Sequence, residues 1–190
     1  MKHLWAPWRI EYITKVRPGG CIFCNAAKAR PDKFAKSPDK SPDKSPDKSP
    51  DKSPDKSYDK SDESLTLFNG RHTLVMLNKY PYNNGHLLVA PKRHEADIEG
   101  LSAAESIDIQ KLLSRSITVL KKTMNPGGFN IGMNLGKSAG AGVLDHLHWH
   151  IVPRWEGDTN FMPVISEVRV IPEHLLKTLK ELRPYFKKLS

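Results

Sequence analysis

The sequence contains the segment Asp145-His146-Leu147-His148-Trp149-His150-Ile151-Val152-Pro153. Its histidines alternate with large apolar residues, and successive side chains of a β-strand point to opposite faces. The alternation therefore predicts a strand with His146, His148 and His150 on one face and apolar side chains buried behind the other. A lone strand histidine is usually an ordinary surface or core residue, but three in register gain nothing from packing. A row of imidazoles suits a phosphate chain or a metal ion, which favours a functional role.

The same histidines carry a family resemblance. Residues 146–152, His-Leu-His-Trp-His-Ile-Val, resemble the whole signature of the histidine triad (HIT) superfamily, His-φ-His-φ-His-φ-φ with φ apolar. The opening Leu4-Trp5-Ala6-Pro7-Trp8-Arg9 and the segment 154–163 are similar to a bacterial branch that includes diadenosine tetraphosphate (Ap4A) phosphorylases. The resemblance extends over residues 1–169 apart from a repeat. It implies a HIT-like α+β fold in a homodimer, with an antiparallel sheet of about five strands, one long helix and a C-terminal helix.

Length and charge restrict the class of protein. A chain of 190 residues can form one substantial core. Its net charge of +9 indicates anionic partners such as nucleotides or polyphosphates. The sequence has no apolar run long enough for a membrane span and no signal-peptide pattern, so neither is expected. The two cysteines form one Cys-x-x-Cys pair and no disulfide framework, which predicts a reduced, cytoplasmic protein.

A low-complexity tract interrupts the chain at residues 37–60. Ser-Pro-Asp-Lys occurs five times in succession from Ser37, followed by Ser-Tyr-Asp-Lys. Frequent proline and almost no apolar side chains exclude a regular element and a core, and each unit is neutral. We predict a disordered insertion that carries no chemistry. It separates an N-terminal arm, residues 1–36, from a folded core at 61–170 and a basic helix at 171–190.

Local signals predict the elements of the core. Runs at 65–68 and 72–77 flank Asn69-Gly70 and indicate a β-hairpin, and further strands are predicted at 86–91 and 129–135. A capping box at Ser102 opens a helix that should run to Met124, before Asn-Pro-Gly-Gly. The second helix is predicted at 173–189, with Pro184 expected to bend or shorten it. Its lysines are predicted to form a solvated surface, so a nucleic-acid partner is not expected.

The cysteine pair, Cys21 and Cys24, is compatible with half a zinc site, a redox pair or coincidence. A thioredoxin-like redox unit needs a preceding strand, and Pro-Gly-Gly stands there instead. Zinc needs two further ligands, which should be histidines because the chain has no other cysteine. HIT proteins that carry this pair close the site with two histidines, at positions that match His94 and His146. The resemblance therefore implies a structural zinc site.

The resemblance also assigns the chemistry. A neutral imidazole is a good nucleophile near pH 7, and the family's middle histidine, which matches His148, attacks an α-phosphorus to form a nucleotidyl-histidine. Its other ring nitrogen is expected to be held by a backbone carbonyl. His150 and His86 are expected to contact the α-phosphate, where a protonated imidazole would offset developing charge. The sequence has no Mg²⁺ motif, and this mechanism needs none.

Several further residues are expected to contact the substrate. Asn78 matches the family position that binds the ribose region of the nucleoside. Asn134, near the end of the predicted strand 129–135, is a further candidate contact. A glycine-rich loop follows this strand, and the backbone N–H groups of the loop can form an anion nest. Its candidate contacts are Lys137, Ser138, Gly140 and Gly142. Animal dinucleoside triphosphate hydrolases of the family carry glutamine where this chain has Asn134 and Gly142, and the smaller residues could make room for inorganic phosphate.

The resemblance thus implies a nucleotidyltransferase that acts on dinucleoside polyphosphates or another adenine nucleotide. The best single description is an Ap4A phosphorylase, which converts Ap4A and inorganic phosphate into ATP and ADP. A near alternative is a HIT hydrolase of dinucleoside polyphosphates or nucleoside phosphoramidates. A different class is a nucleotide-sensing or RNA-binding module without turnover, against which the intact triad argues.

Overall fold

A computed structural model describes residues 20–28, 65–158 and 173–189. The predictions for the arm before Gly20, for the repeat tract and for the segment 159–172 lie outside these residues. The described elements, in chain order, are α1 (Ile22–Lys28), β1 (Thr66–Asn69), β2 (Thr73–Leu77), β3 (Leu87–Pro91), α2 (Ala103–Met124), β4 (Gly128–Met133), β5 (Trp149–Arg154) and α3 (Leu175–Lys187). Short 3-10 turns occupy Ile98–Gly100 and Lys137–Ala139.

The strands form a single antiparallel sheet in the order β1-β2-β3-β5-β4. The predicted hairpin is present, since Asn69 pairs with Leu74 across the turn. The centre of the sheet joins distant parts of the chain, because β3 pairs with β5 and places Leu88 opposite His150. The architecture is α+β, as predicted.

The sheet carries an apolar cluster on each of its two faces. One face packs against α2 and α3, where a core includes Val89, Ile109, Trp149, Leu182 and others. The opposite face carries a smaller cluster of Phe23, Leu74, Met76, Leu88 and Ala90, in which Phe23 comes from α1. Every residue of β2 and β3 is buried as a consequence.

The two longer helices follow the local signals closely. Ser102 and Glu105 form the predicted capping box, and α2 ends at Asn125, a C-cap in the left-handed region with φ 44°. Helix α3 begins at Leu175, two residues later than predicted. It also continues through Pro184, because burial of the following Phe186 holds the last turn against the core. None of the described helices is long and apolar enough to cross a membrane.

The prediction that the strand covers the whole histidine segment is wrong, because the strand starts later than predicted. Strand β5 begins at Trp149, so His146 and His148 precede it. The reason is that the Leu147 N–H donates to the Glu95 carbonyl, at 2.6 Å, instead of to a neighbouring strand. The alternation still sorts the side chains, since Leu147 and Trp149 enter the helix-covered core while the rings of His146 and His148 lie on the other side against Phe23.

Candidate active site and metal centre

Four potential metal ligands converge beside the opening turn of α1. Cys21 Sγ lies 3.2 Å from His146 Nδ1, and Cys24 Sγ lies 3.2 Å from His94 Nδ1 and 3.7 Å from His146 Nδ1. All four donor atoms lie within 4.8 Å of one another. The predicted set is therefore close enough to bind one metal ion.

The donor set and its spacing fit zinc. Tetrahedral zinc bound to two thiolates and two imidazoles holds its donors about 3.3–3.8 Å apart. The buried His146 donates its Nε2–H to the Pro91 carbonyl, at 2.8 Å, which leaves the Nδ1 lone pair facing the sulfurs. Burial lowers the pKa of His146 and so favours the neutral, ligating ring. Burial and the neighbouring Cys21 raise the pKa of the Cys24 thiol, so metal binding has to displace a proton there.

His148 is held in one tautomer. Its Nδ1 lies 2.9 Å from the backbone oxygen of His146, and a carbonyl only accepts, so Nδ1 carries the proton. This is the backbone acceptor expected from the sequence. Burial lowers the pKa of His148, which keeps the ring neutral at pH 7 and leaves an unprotonated lone pair on Nε2. An imidazole in this form can act as a nucleophile without further deprotonation.

A chain of hydrogen bonds orients the two remaining histidines of the site. The Tyr82 N–H donates to His86 Nδ1 at 3.0 Å, so the His86 proton lies on Nε2. That N–H donates in turn to His150 Nδ1, at 2.9 Å, which leaves the proton of His150 on its own Nε2. His150 therefore presents an N–H donor, while its ring lies edge-on to His148 with centroids 4.9 Å apart.

Burial disfavours protonated imidazoles at both of these positions. Burial, followed by repulsion from His150 and His148, lowers the pKa of His86 to about 3. Burial, followed by repulsion from His148, lowers the pKa of His150 to about 4. Both rings are neutral at pH 7 and act as hydrogen-bond donors without a full positive charge.

Tyr82 is a site residue that the sequence reasoning missed. Its ring lies 4.9 Å from the His86 ring and stacks on His150 at 5.9 Å, and its backbone positions the His86 proton. The only available signal was its place in a turn-rich loop shortly before His86. Asn78 also lies here, with Nδ2 at 3.3 Å from His86 Nδ1, while its Oδ1 accepts from the Tyr80 N–H at 3.0 Å.

The glycine-rich loop leads from β4 into the histidine segment. Met133 is paired with Trp149, so Asn134 follows the last pair of the sheet directly before the loop. Lys137, Ser138 and Gly140 are exposed, and Gly142 is partly buried. Gly140 adopts φ 83°, a left-handed conformation that favours glycine, and its N–H closes a turn onto the Lys137 carbonyl. The loop is thus a preformed turn open to solvent.

Comparison with known proteins identifies the family. The HIT domain profile matches residues 60–157, more than half of the chain, and this range contains all the histidines described above. The chain belongs to the HIT family. Among HIT relatives, an AP-4-A phosphorylase from Mycobacterium tuberculosis is 35% identical over 182 residues, which cover 96% of this chain and 83% of that protein.

One further sequence relative and one solved structure are also similar to this chain. A bis(5'-adenosyl)-triphosphatase from Dictyostelium discoideum is 30% identical over 130 residues, covering 65% of this chain and 87% of that protein. A hypothetical histidine triad nucleotide-binding protein from Sulfolobus tokodaii superposes with a TM-score of 0.55 at 28% identity, covering 67% of this chain and 86% of that one. The fold of this chain is therefore a HIT fold.

Proposed function

We propose that the protein is a nucleotidyltransferase that cleaves dinucleoside polyphosphates, and specifically an Ap4A phosphorylase. The observation that carries the proposal is the tautomer of His148, whose Nδ1–H is bound by the His146 carbonyl so that Nε2 keeps a free lone pair. The N–H of His150 stands beside this nucleophile as a donor for a phosphate oxygen. A module that only binds nucleotides has no need of this arrangement.

The reaction proceeds in two displacements. In the first, His148 Nε2 bonds to an α-phosphorus of Ap4A, the phosphoanhydride bond to the bridging oxygen breaks, and ATP leaves. The positive charge that develops on the imidazole is stabilised through Nδ1–H by the His146 carbonyl. In the second, an oxygen of inorganic phosphate attacks the same phosphorus, the phosphorus–nitrogen bond breaks, and ADP leaves with His148 restored. The donor on His150 stabilises charge on the non-bridging oxygens in both steps.

The choice of phosphate over water is supported by two observations. The relative with the most extensive match described above is a phosphorylase, with 35% identity over 96% of this chain. The loop beside the site is open and carries Gly142, where the resembling animal hydrolases carry glutamine. The hydrolase from Dictyostelium discoideum supports the rival reaction, in which water accepts the nucleotidyl group.

We also propose that Cys21, Cys24, His94 and His146 hold a structural zinc ion. Their donor atoms are of the kind that zinc prefers and lie within 4.8 Å of one another, and the His146 ring already presents its Nδ1 lone pair to the sulfurs. With four protein ligands, no position is open for substrate. The zinc would fasten α1 to the histidine segment.

A homodimer built across β4 is part of the proposal. Strand β4 lies at an edge of the sheet, and Ile131 on it is 47% exposed. Exposed apolar side chains on an edge strand are a common pairing surface. Leu135 and Leu144 extend the exposed apolar surface beyond the strand.

Product analysis on Ap4A, with and without inorganic phosphate, tests the function. ATP and ADP formed only with phosphate would support the phosphorylase, whereas ATP and AMP formed regardless of phosphate would make the protein a hydrolase. We expect the variant His148→Ala to lose turnover by at least about 1000-fold while it still binds nucleotide. Turnover by this variant at the parent rate would contradict the assignment of His148.

A further inference from the structure

We propose that Phe23 is a positioning residue for His148 and that it links the order of the metal centre to the orientation of the nucleophile. Phe23 lies in the first turn of α1, between Cys21 and Cys24 in the sequence. The inference deepens the proposed function, since it rests on His148 being the nucleophile. It concerns a side chain that offers no metal-ligand atom and no hydrogen-bonding group.

The contacts of Phe23 place it against both neighbouring histidines. Its side chain is fully buried, with 0% exposure. Its ring centroid lies 4.9 Å from that of His146 and 4.9 Å from that of His148, with planes tilted by 43° and 37°. One phenyl ring therefore contacts a metal ligand and the proposed nucleophile at once.

The orientation of the His148 ring needs such a contact. The terminal torsion of a histidine is broad, so packing has to select one ring orientation. The hydrogen bond from Nδ1 to the His146 carbonyl ties the ring at one edge. Phe23 and the edge-on His150 limit the remaining rotation about the side-chain bond. A loosened ring would divide its time between orientations, of which one presents Nε2 to the phosphorus.

The position of Phe23 depends in turn on α1. This helix has seven residues, too few to be stable in isolation. Among the described residues it is fastened by the cysteines on either side of Phe23, by the bond from Asn69 Nδ2 to the Ala27 carbonyl at 3.0 Å, and by packing of Phe23 itself. A metal ion bound by Cys21 and Cys24 would fix the backbone before and after Phe23, and would therefore hold the Phe23 ring against His148.

Steady-state kinetics of the zinc-loaded full-length protein provide the first test. We expect Phe23→Ala to lower kcat about 10- to 100-fold, because small misplacements of a reacting group have effects of this size, with KM and zinc content close to the parent values. Phe23→Leu, which keeps apolar volume without the flat ring, should lower kcat by a smaller factor. The matched control is Phe186→Ala, the same substitution at a fully buried position in the cluster on the opposite face of the sheet, which should leave kcat nearly unchanged.

NMR of the histidine rings provides a readout that does not depend on turnover. Long-range ¹H–¹⁵N correlations at pH 8 distinguish the two neutral tautomers, and the signal that disappears in His148→Ala assigns the ring. The parent should show the Nδ1–H form, and both Phe23 variants should show an admixture of the Nε2–H form. Removal of zinc from the parent with a chelator should move the signal in the same direction.

The two measurements separate the possible failures. If the parent turns over no dinucleoside polyphosphate, the proposed function fails while the tautomer signal still decides the role of Phe23. If Phe23→Ala does not fold, kcat and the tautomer signal of Phe23→Leu are compared with those of the parent instead. Parent-like kcat together with a parent-like tautomer signal in the folded Phe23 variants would overturn the inference, as would an equal loss of kcat in Phe186→Ala.

Discussion

At the scale of single residues, the buried histidines make the folded state sensitive to acid. A histidine in the unfolded chain has a pKa near 6.5, whereas burial holds the pKa of His86 at about 3 and that of His150 at about 4. Protons therefore bind the unfolded chain more tightly. The associated stability is complete above about pH 6.5 and is lost as the pH falls toward 3, by up to about 1.4 kcal/mol per pH unit for each such histidine.

Urea denaturation between pH 7.5 and pH 4 measures this effect, and the free energy of unfolding should fall steadily with acid. The variant His86→Gln cannot take up the proton, so its free energy of unfolding should fall less steeply. The metal centre is the same in both proteins and cancels in the comparison. Identical slopes for the two proteins would mean that the burial of His86 does not govern the acid response.

At the scale of elements, the capping box of α2 should make a measurable contribution to the free energy of unfolding. The Ser102 hydroxyl accepts from the Glu105 N–H, and the Glu105 carboxylate accepts from the Ser102 N–H at 2.9 Å. Ser102→Ala removes the cap and should lower the free energy of unfolding by about 1 kcal/mol, as read from urea denaturation. Ser114→Ala, on an exposed position of the same helix, should change it by less than about 0.5 kcal/mol. Equal effects would show that the cap contributes nothing.

The short helix α1 should depend on the metal in a way that α2 does not. Metal analysis of the purified protein is expected to give about one zinc per chain, consistent with four ligands around one ion. Cys24→Ala should lower this content and the melting temperature together, because it removes a ligand and frees α1. His72→Ala, at a histidine outside the metal centre, should keep the zinc. Loss of zinc from both variants, or from neither, would contradict the assigned ligands.

At the scale of the whole molecule, the repeat tract should matter little for stability. It lies in the connection of residues 29–65 between α1 and β1. For a connection without structure of its own, as the sequence predicts, the entropy of closure grows only with the logarithm of length. Removal of residues 37–56 should change the free energy of unfolding by less than about 1 kcal/mol and leave turnover intact. A deletion variant that fails to fold or to turn over would assign the tract a role that the sequence does not indicate.

The parts of the molecule that were predictable depend on neighbours in sequence. Helix α2 was predicted because its cap, its apolar spacing and its stop signal all lie within the segment itself. The alternation 146–150 predicted the side on which each ring lies, but not where β5 starts. That boundary is set by the Glu95 carbonyl, which accepts from Leu147 and belongs to a distant segment.

The role of Tyr82 was not predictable for a related reason. Its hydrogen bond to His86 comes from the backbone N–H, which every residue except proline has, and its ring reaches His86 and His150 only through the fold. The contact between His86 and His150 joins rings 64 residues apart in sequence, and their low pKa values follow from burial that only the fold creates. Resemblance to a family supplied the two histidines of the candidate metal centre, since the spacing of the cysteine pair alone left its role open.

The large sequence separation between the ligands of the metal centre affects when the centre can form during synthesis of the chain. Cys21 and His146 are 125 residues apart, and a ribosome adding about 5–20 residues per second needs roughly 6–25 s to pass from one to the other. During that interval the two thiols exist without the histidine that buries them, and the repeat tract lengthens the wait. The metal centre cannot be completed until most of the chain has been made. Oxidants or competing metals would therefore find these cysteines most accessible during synthesis.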